Sequence, residues 1–204
     1  MRVTIFDYGA GNLHSLAKAL EGEGAVVMVE ADPVRALDTD VLVLPGVGAF
    51  GAAVARLAPG RDAMRDAIRA GLPTIGICLG MQLLFDESDE GAGAGLGVMA
   101  GRVTRLDAQR VPQIGWNDVD PVQGEPLFQE APLPIAYFAN SFVCRPADEQ
   151  VVIAWTTHEG DRFPSAVRAG HAVGVQFHPE KSSAGGVRFL HAFLQEVYRP
   201  GAAR

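Results

Sequence analysis

The chain has 204 residues, enough for one substantial α/β core and short for two independent domains. Hydrophobic residues make up 48% of it, which excludes wholesale disorder. A formal charge of −7, from 17 basic and 24 acidic side chains, argues against nucleic acid or an anionic membrane as the main partner.

The two cysteines, Cys78 and Cys144, make no disulfide framework, and neither has a second cysteine at metal-ligand spacing. The apolar run near Met1 is too short for a signal peptide, and no stretch approaches a membrane span. The reading is a soluble protein of a reducing compartment, cytoplasmic, forming a single domain over 1–204.

Val3 to Phe6 reads as a strand, and Asn12 as the cap of a helix with Leu13, Leu16, Ala17 and Leu20 on one face. Ala25 to Val29 and Asp40 to Leu44 read as further strands, nearly all apolar, as strands covered on both faces should be. Arg61 to Ala70 has a helical pattern, and Thr74 to Cys78 is another buried strand. This alternation implies a three-layer α/β fold, with helices on both sides of a mostly parallel central sheet. Glu87 to Gly95 reads as a Gly-rich loop. Beyond it, Val98–Val103, Ile114–Val119, Ile135–Phe142, Val151–Thr156, Ser165–Arg168 and Ala172–Phe177 read as strands with little helix, an antiparallel extension in the second half. Ser183 to Tyr198 closes the chain as a helix, with Val187, Leu190, Leu194 and Val197 on its buried stripe.

The sharpest local signal is Gly76-Ile77-Cys78-Leu79-Gly80, where an apolar strand ends and a helix begins. It has the form of a nucleophile elbow, in which glycines let neighbouring backbone pass a strained turn. A helix N-terminus favours a thiolate over a thiol. A structural cysteine at the end of a buried strand is the alternative; both glycines and the strand-to-helix position favour the nucleophile.

A nucleophilic cysteine needs a base. His14 and His191 lie on helical patterns, and His158 and His171 near turns, which suits structural or solvated roles. His178 follows the apolar strand Val173 to Phe177 and precedes Pro179-Glu180. Strands of doubly wound sheets deliver reactive groups at their C-terminal ends, so His178 can meet Cys78 there. Pro179 stiffens the turn and brings Glu180 near His178, as the third member of a triad. Alone, this tripeptide would read as a surface turn.

Acyl chemistry also needs donors for an oxyanion. Pro45-Gly46-Val47-Gly48 follows a strand at the same sheet edge, and glycine-flanked backbone can turn an N–H toward a ligand. The N–H of Leu79 would be the second donor. A plain turn is the alternative for the Gly46–Gly48 loop; a Walker loop is excluded by the missing Gly-Lys-Ser/Thr ending, and no dinucleotide fingerprint follows.

Together these residues resemble the class I glutamine amidotransferases, whose catalytic set is an elbow cysteine plus a late H-x-E, here Cys78, His178 and Glu180. Within that class the chain is similar to the glutaminase subunits of imidazole glycerol phosphate synthases. The stretches that carry this are Asp7 to Asn12, Leu44 to Gly51, Gly76 to Leu84, Gly115-Trp116-Asn117, Phe163 to Val167 and Gln176 to Ser182, spread over roughly residues 2 to 198.

The resemblance implies hydrolysis of L-glutamine through a thioester, with no metal or organic cofactor. It implies that Gln82 and Glu90 contact the substrate and that Gly46, Val47 and Gly48 complete the oxyanion hole. Asn12, Trp116 and Lys181 would face the partner, a (β/α)8-barrel cyclase that receives ammonia and makes imidazole glycerol phosphate and aminoimidazole carboxamide ribonucleotide. Gln113 stands where the family usually has histidine, and its F-V-H-S-Y segment reads Phe138-Ala139-Asn140-Ser141-Phe142. Side-chain contacts of the missing histidine and phenol do not carry over, whereas backbone contacts to substrate from Asn140, Ser141 and Phe142 do. The competing readings are an amidotransferase of another pathway, such as pyridoxal phosphate or anthranilate synthesis, and a nonenzymatic or redox-sensing protein with an elbow cysteine. The Pro45–Gly51 and Gly115–Asn117 stretches disfavour the former, and the complete H-P-E disfavours the latter.

Overall fold

The computed structural model describes residues 1–9, 11, 13–22, 24–46 and 48–198. The chain opens with β1 (Arg2–Phe6), α1 (His14–Leu20), β2 (Val26–Glu30) and β3 (Val41–Leu44). Helices α2 (Phe50–Leu57) and α3 (Arg61–Arg69) follow, then β4 (Thr74–Ile77) and the short α4 (Leu79–Leu83). Strands β5 (Glu87–Ser88), β6 (Gly101–Arg105), β7 (Gln113–Asp118) and β8 (Asp120–Pro121) lead to α5 (Pro126–Glu130). The last third holds β9 (Ile135–Asn140), β10 (Phe142–Pro146), β11 (Val152–His158), β12 (Asp161–Ala169), β13 (Ala172–Val175) and α6 (Ser183–Tyr198).

Among the described residues, eight strands form the main sheet in the order β2-β1-β3-β4-β13-β12-β11-β8. The run from β2 to β13 is parallel; β12, β11 and β8 extend it antiparallel. Strand alternation divides the core into two faces. Val41, Val43, Ile75 and Val173 pack with Leu16 and Leu20 of α1 and Phe189, Leu190 and Phe193 of α6. Leu42 and Leu44 point the other way, onto Phe50, Ala53 and Leu57 of α2 and Met64 and Ile68 of α3. The expected three-layer sheet with its antiparallel extension is therefore present. Among the described residues no helix is long and apolar enough to cross a membrane.

Several expectations need correction. Strand β2 is the sheet edge, not a strand covered on both faces: Val26 is 59% exposed and Met28 48%. Helix α2 was not expected; it starts after a glycine-rich loop, and no side chain caps Ala49 at its start. The run Ile135–Phe142 is not one strand. It divides at Ser141, β9 pairing with β7 and β10 with β6, because the chain crosses there between two small sheets. The glycine-rich loop holds the two-residue β5. Asn12, expected as a helix cap, lies outside the described residues, and α1 begins at His14.

Candidate active site

Register alone converges the candidate groups. Leu44 pairs with Gly76, and Ile77 pairs with Val175, so the C-terminal ends of β3, β4 and β13 lie side by side. Pro45-Gly46, Cys78 and His178 follow those three ends, at the edge where parallel sheets present their sites.

Cys78 occupies φ 48°, ψ −103°, between β4 and α4. A non-glycine residue at positive φ is strained by roughly 1–3 kcal/mol and persists only where its surroundings enforce it. Here the Cys78 N–H donates to the Val175 carbonyl at 2.7 Å, and the Cys78 carbonyl accepts from Gln82 N–H at 3.1 Å. The turn also needs room for backbone to cross. A Cβ on Gly80 would fall 1.9 Å from the Leu44 carbonyl oxygen, so α4 can pass over β3 only with glycine there. Leu79 opens α4, and its N–H is among the first-turn amides that have no carbonyl partner within the helix.

Gly46 lies against both candidate side chains, Cys78 and His178. A Cβ placed on it would be 2.9 Å from Cys78 Cβ and 2.9 Å from His178 Cε1. The loop is fastened from below by the buried Tyr8 hydroxyl, which donates to the Pro45 carbonyl at 2.7 Å. Burial, then the nearby Cys78 sulfur, pushes the Tyr8 phenol well above its usual range, so that proton stays on the oxygen. Gly48, at φ 107°, ends the loop, and Val47 lies outside the described residues.

His178 is buried, and its Nδ1 lies 2.8 Å from Glu180 Oε1. Burial opposes a charge on this ring, but the hydrogen bond to Cys78 and then that to Glu180 outweigh it, raising the pKa from 6.5 to about 9. The ring is therefore charged at neutral pH, with Nδ1–H donating to Glu180. Cys78, His178 and Glu180 are thus brought into one hydrogen-bonded line.

Of the expected substrate contacts, Gln82 is buried on α4 and donates from Nε2 to the Phe142 carbonyl at 3.1 Å. Asn140 Nδ2 donates to the same carbonyl at 3.3 Å. Ser141 and Phe142 form the junction of β9 and β10, with the Ser141 carbonyl accepting from Leu106 N–H. Glu90 is exposed, and its carboxylate accepts the Phe50 N–H at 3.1 Å, which sets it against the start of α2 just beyond Gly48. Gln113 faces Asn140 across β7 and β9; both are buried, and Gln113 Nε2 and Oε1 and Asn140 Oδ1 find no partner in the structure.

Trp116 and Lys181 are both exposed. Trp116 stacks edge-on against Tyr137, with ring centroids 6.2 Å apart. The Tyr137 backbone accepts from His178 N–H and donates to Ser182 Oγ, which ties the β7–β9 ribbon to the turn carrying Lys181. Asn12, the third expected partner residue, lies outside the described residues.

Cys144 is buried on β10, where burial, then the Cys78 sulfur, pushes its thiol well above the usual range. His191 and His158 bond to the carbonyls of Ala19 and Arg110, as structural histidines do. Two residues of the site were not anticipated. Tyr8 lay within a matched stretch without a role, and Gln176, two residues before His178, donates from Nε2 to Cys78 Sγ at 3.4 Å. A glutamine at the end of an otherwise apolar buried strand was the available signal for the second.

The family model described as "Glutamine amidotransferase class-I" matches residues 4–197. The chain belongs to the class I glutamine amidotransferases. Within this amidotransferase family, a relative named "Imidazole glycerol phosphate synthase subunit HisH" from Symbiobacterium thermophilum is 48% identical over 93% of this chain and 91% of its own. The protein of the same name from Pyrococcus furiosus is 43% identical over 94% of this chain and 97% of its own. Among solved structures, a glutamine amidotransferase superposes with TM-score 0.72 at 22% identity, covering 96% of this chain and 98% of that one, which supports the amidotransferase fold.

Proposed function

We infer that the chain hydrolyses L-glutamine to glutamate and ammonia at Cys78 and hands the ammonia to a separate cyclase subunit. It is the glutaminase subunit of an imidazole glycerol phosphate synthase, and acts in histidine biosynthesis. The observation that carries the chemistry is the convergence of Gly46, Cys78 and His178 from three adjacent strand ends, with Glu180 2.8 Å behind the imidazole.

The Cys78 sulfur attacks the carboxamide carbon; a C–S bond forms and the carbonyl electrons move onto oxygen. The N–H of Leu79 and an N–H of the Gly46–Gly48 loop receive that oxyanion, a role in which one lost donor costs about 2.7–4 kcal/mol elsewhere. The charged His178 gives its proton to the departing nitrogen as the C–N bond breaks, and ammonia leaves. The neutral imidazole, steadied by Glu180, then takes a proton from water, whose oxygen attacks the thioester. The sulfur departs with its electrons and glutamate is released. Gln82 and Glu90, with the backbone of Asn140 to Phe142, hold the substrate.

The partner is a (β/α)8-barrel cyclase bound as a heterodimer in the cytoplasm. Its lyase step uses ammonia channelled from this site to make imidazole glycerol phosphate and aminoimidazole carboxamide ribonucleotide. The β7–β9 ribbon supports this reading: Ile114 is 67% exposed, Trp116 50% and Ile135 45%, on one face of a ribbon whose Tyr137 backbone is bonded to the turn that carries Lys181. Apolar side chains concentrated on an exposed ribbon mark an interaction site.

The test is Cys78→Ala in complex with the barrel subunit. Glutamine-dependent synthesis should vanish, and synthesis from added ammonium salts should persist, because cyclisation belongs to the partner. Residual glutamine turnover above a trace would overturn the nucleophile.

A further inference from the structure

We propose that Gln176 is a dedicated hydrogen-bond donor to the attacking sulfur, aimed at it by Gln82 and the Phe142 carbonyl. The inference rests on Cys78 being the nucleophile and adds a residue to that site. Gln176 is fully buried directly after β13, and its N–H donates to the Ser165 carbonyl at 2.9 Å, so β12 pins its backbone. A buried side-chain amide is costly unless its polar atoms are paired.

The pairing here fixes which end of each amide faces which neighbour. The Phe142 carbonyl can only accept, so the Gln82 group 3.1 Å away is its NH2. That same nitrogen lies 3.4 Å from Gln176 Oε1, which must then be the accepting oxygen. The Gln176 NH2 is left to point at Cys78 Sγ, also 3.4 Å away. A backbone carbonyl at the start of β10 thereby sets the polarity of a two-glutamine relay ending on the nucleophile.

Other polar groups near the sulfur do not duplicate this. The Tyr8 proton is committed to the Pro45 carbonyl, and burial keeps Cys144 a thiol. His178 is a charged donor, and it must surrender its proton to the leaving nitrogen. Gln176 keeps its N–H throughout, so it can hold the sulfur as an anion before attack and again as the thioester breaks. A neutral amide does this without a second charge to compete for Glu180. Donors to charged acceptors are the stronger class of hydrogen bond.

The experiment uses the complex with its barrel subunit and two readouts: alkylation of Cys78 by iodoacetamide at neutral pH, followed by peptide mass, and steady-state glutaminase kinetics. Gln176→Met keeps the length and removes the donor. It should slow Cys78 alkylation by about tenfold, the factor expected for a bond to a charged group, and lower kcat similarly, with KM for glutamine within about twofold. Gln176→Glu, which keeps the shape but puts an oxygen where the NH2 stood, should slow alkylation at least as much. A purely structural role would lower the melting temperature or raise KM and leave the iodoacetamide rate alone. Native alkylation rates in the folded variants overturn the proposal. Should both fail to fold, Gln82→Leu removes the relay's anchor: slowed alkylation supports the proposal and a native rate refutes it. Cys78→Ser, assayed for glutamine turnover beside them, judges the nucleophile separately. An active Cys78→Ser enzyme refutes that reading, whereas an inactive one with unchanged Gln176→Met alkylation refutes only the role of Gln176.

Discussion

The sheet edge that carries the candidate active site and the β7–β9 ribbon are joined through the Tyr137 backbone, yet they are built in opposite ways. At the edge, Gly46, Cys78 and His178 are packed so closely that an added methyl group has no room. On the ribbon, Ile114, Trp116 and Ile135 face outward. On the proposed function the edge supplies geometry and the ribbon supplies contact, so a small change should be ruinous at one and graded at the other.

Gly46→Ala should produce the largest effect that sharpens this contrast. The new methyl would stand 2.9 Å from Cys78 Cβ, His178 Cε1 and the Ile77 carbonyl oxygen, and two of those neighbours belong to the triad. Glutaminase activity should fall at least as far as loss of an oxyanion donor takes other enzymes, about 10²–10³-fold. Partner binding, measured by titration calorimetry, should be native. An active Gly46→Ala enzyme would mean that the edge is looser than its contacts require.

Within the triad the effects should be unequal. His178→Ala removes the proposed acid and base together, whereas Glu180→Gln leaves an oxygen able to accept from Nδ1. One Glu180 oxygen bonds the imidazole, and the other is buried without a partner, so its main work is orienting and charging the ring. The loss for Glu180→Gln should be smaller than for His178→Ala by about ten- to a hundredfold. Equal losses in folded proteins would remove the ranking.

The same contrast explains what the sequence could say. The elbow was legible because its glycines answer a local steric demand, visible as Gly80 against the Leu44 carbonyl. The parallel strands were legible as apolar runs, but such a run does not reveal whether a strand is central or an edge. Val26 and Met28 of β2 are as apolar as β3 and yet stand in solvent. Helix α2 was hidden by its small residues, Gly51-Ala52-Ala53-Val54-Ala55, and by the missing cap at Ala49. The break at Ser141 and the relay through Gln176 depend on residues far apart in sequence, Leu106 in one case and Gln82 and Cys78 in the other. No local pattern carries such pairings.

On the ribbon, Trp116→Ala should weaken partner binding by about thirtyfold, the cost of losing a typical aromatic anchor of about 2 kcal/mol. Alkylation of Cys78 in the free chain should stay native, since Trp116 touches Tyr137 and not the triad. At saturating partner, glutamine-dependent synthesis should largely recover. Unchanged affinity would move the interface off this ribbon.

The smallest effect separates the two regions by pH. His178 is raised from 6.5 to about 9, so the folded chain holds this proton more tightly than the unfolded chain does. The stability it contributes is fully present below about 6.5 and is lost as pH rises through 9. In that window each pH unit costs up to about 1.4 kcal/mol, because one proton is released on unfolding. A decline of a few degrees in melting temperature is therefore expected between pH 7 and 9. In Cys78→Ala the larger of the two hydrogen bonds holding the proton is gone, while burial still opposes the charge, so the decline should be shallower and set in at lower pH. Trp116→Ala should follow the native curve. Melts of the three proteins from pH 6 to 10 make the comparison, and identical slopes for the native chain and Cys78→Ala would show that the sulfur does not hold the imidazole in its charged form.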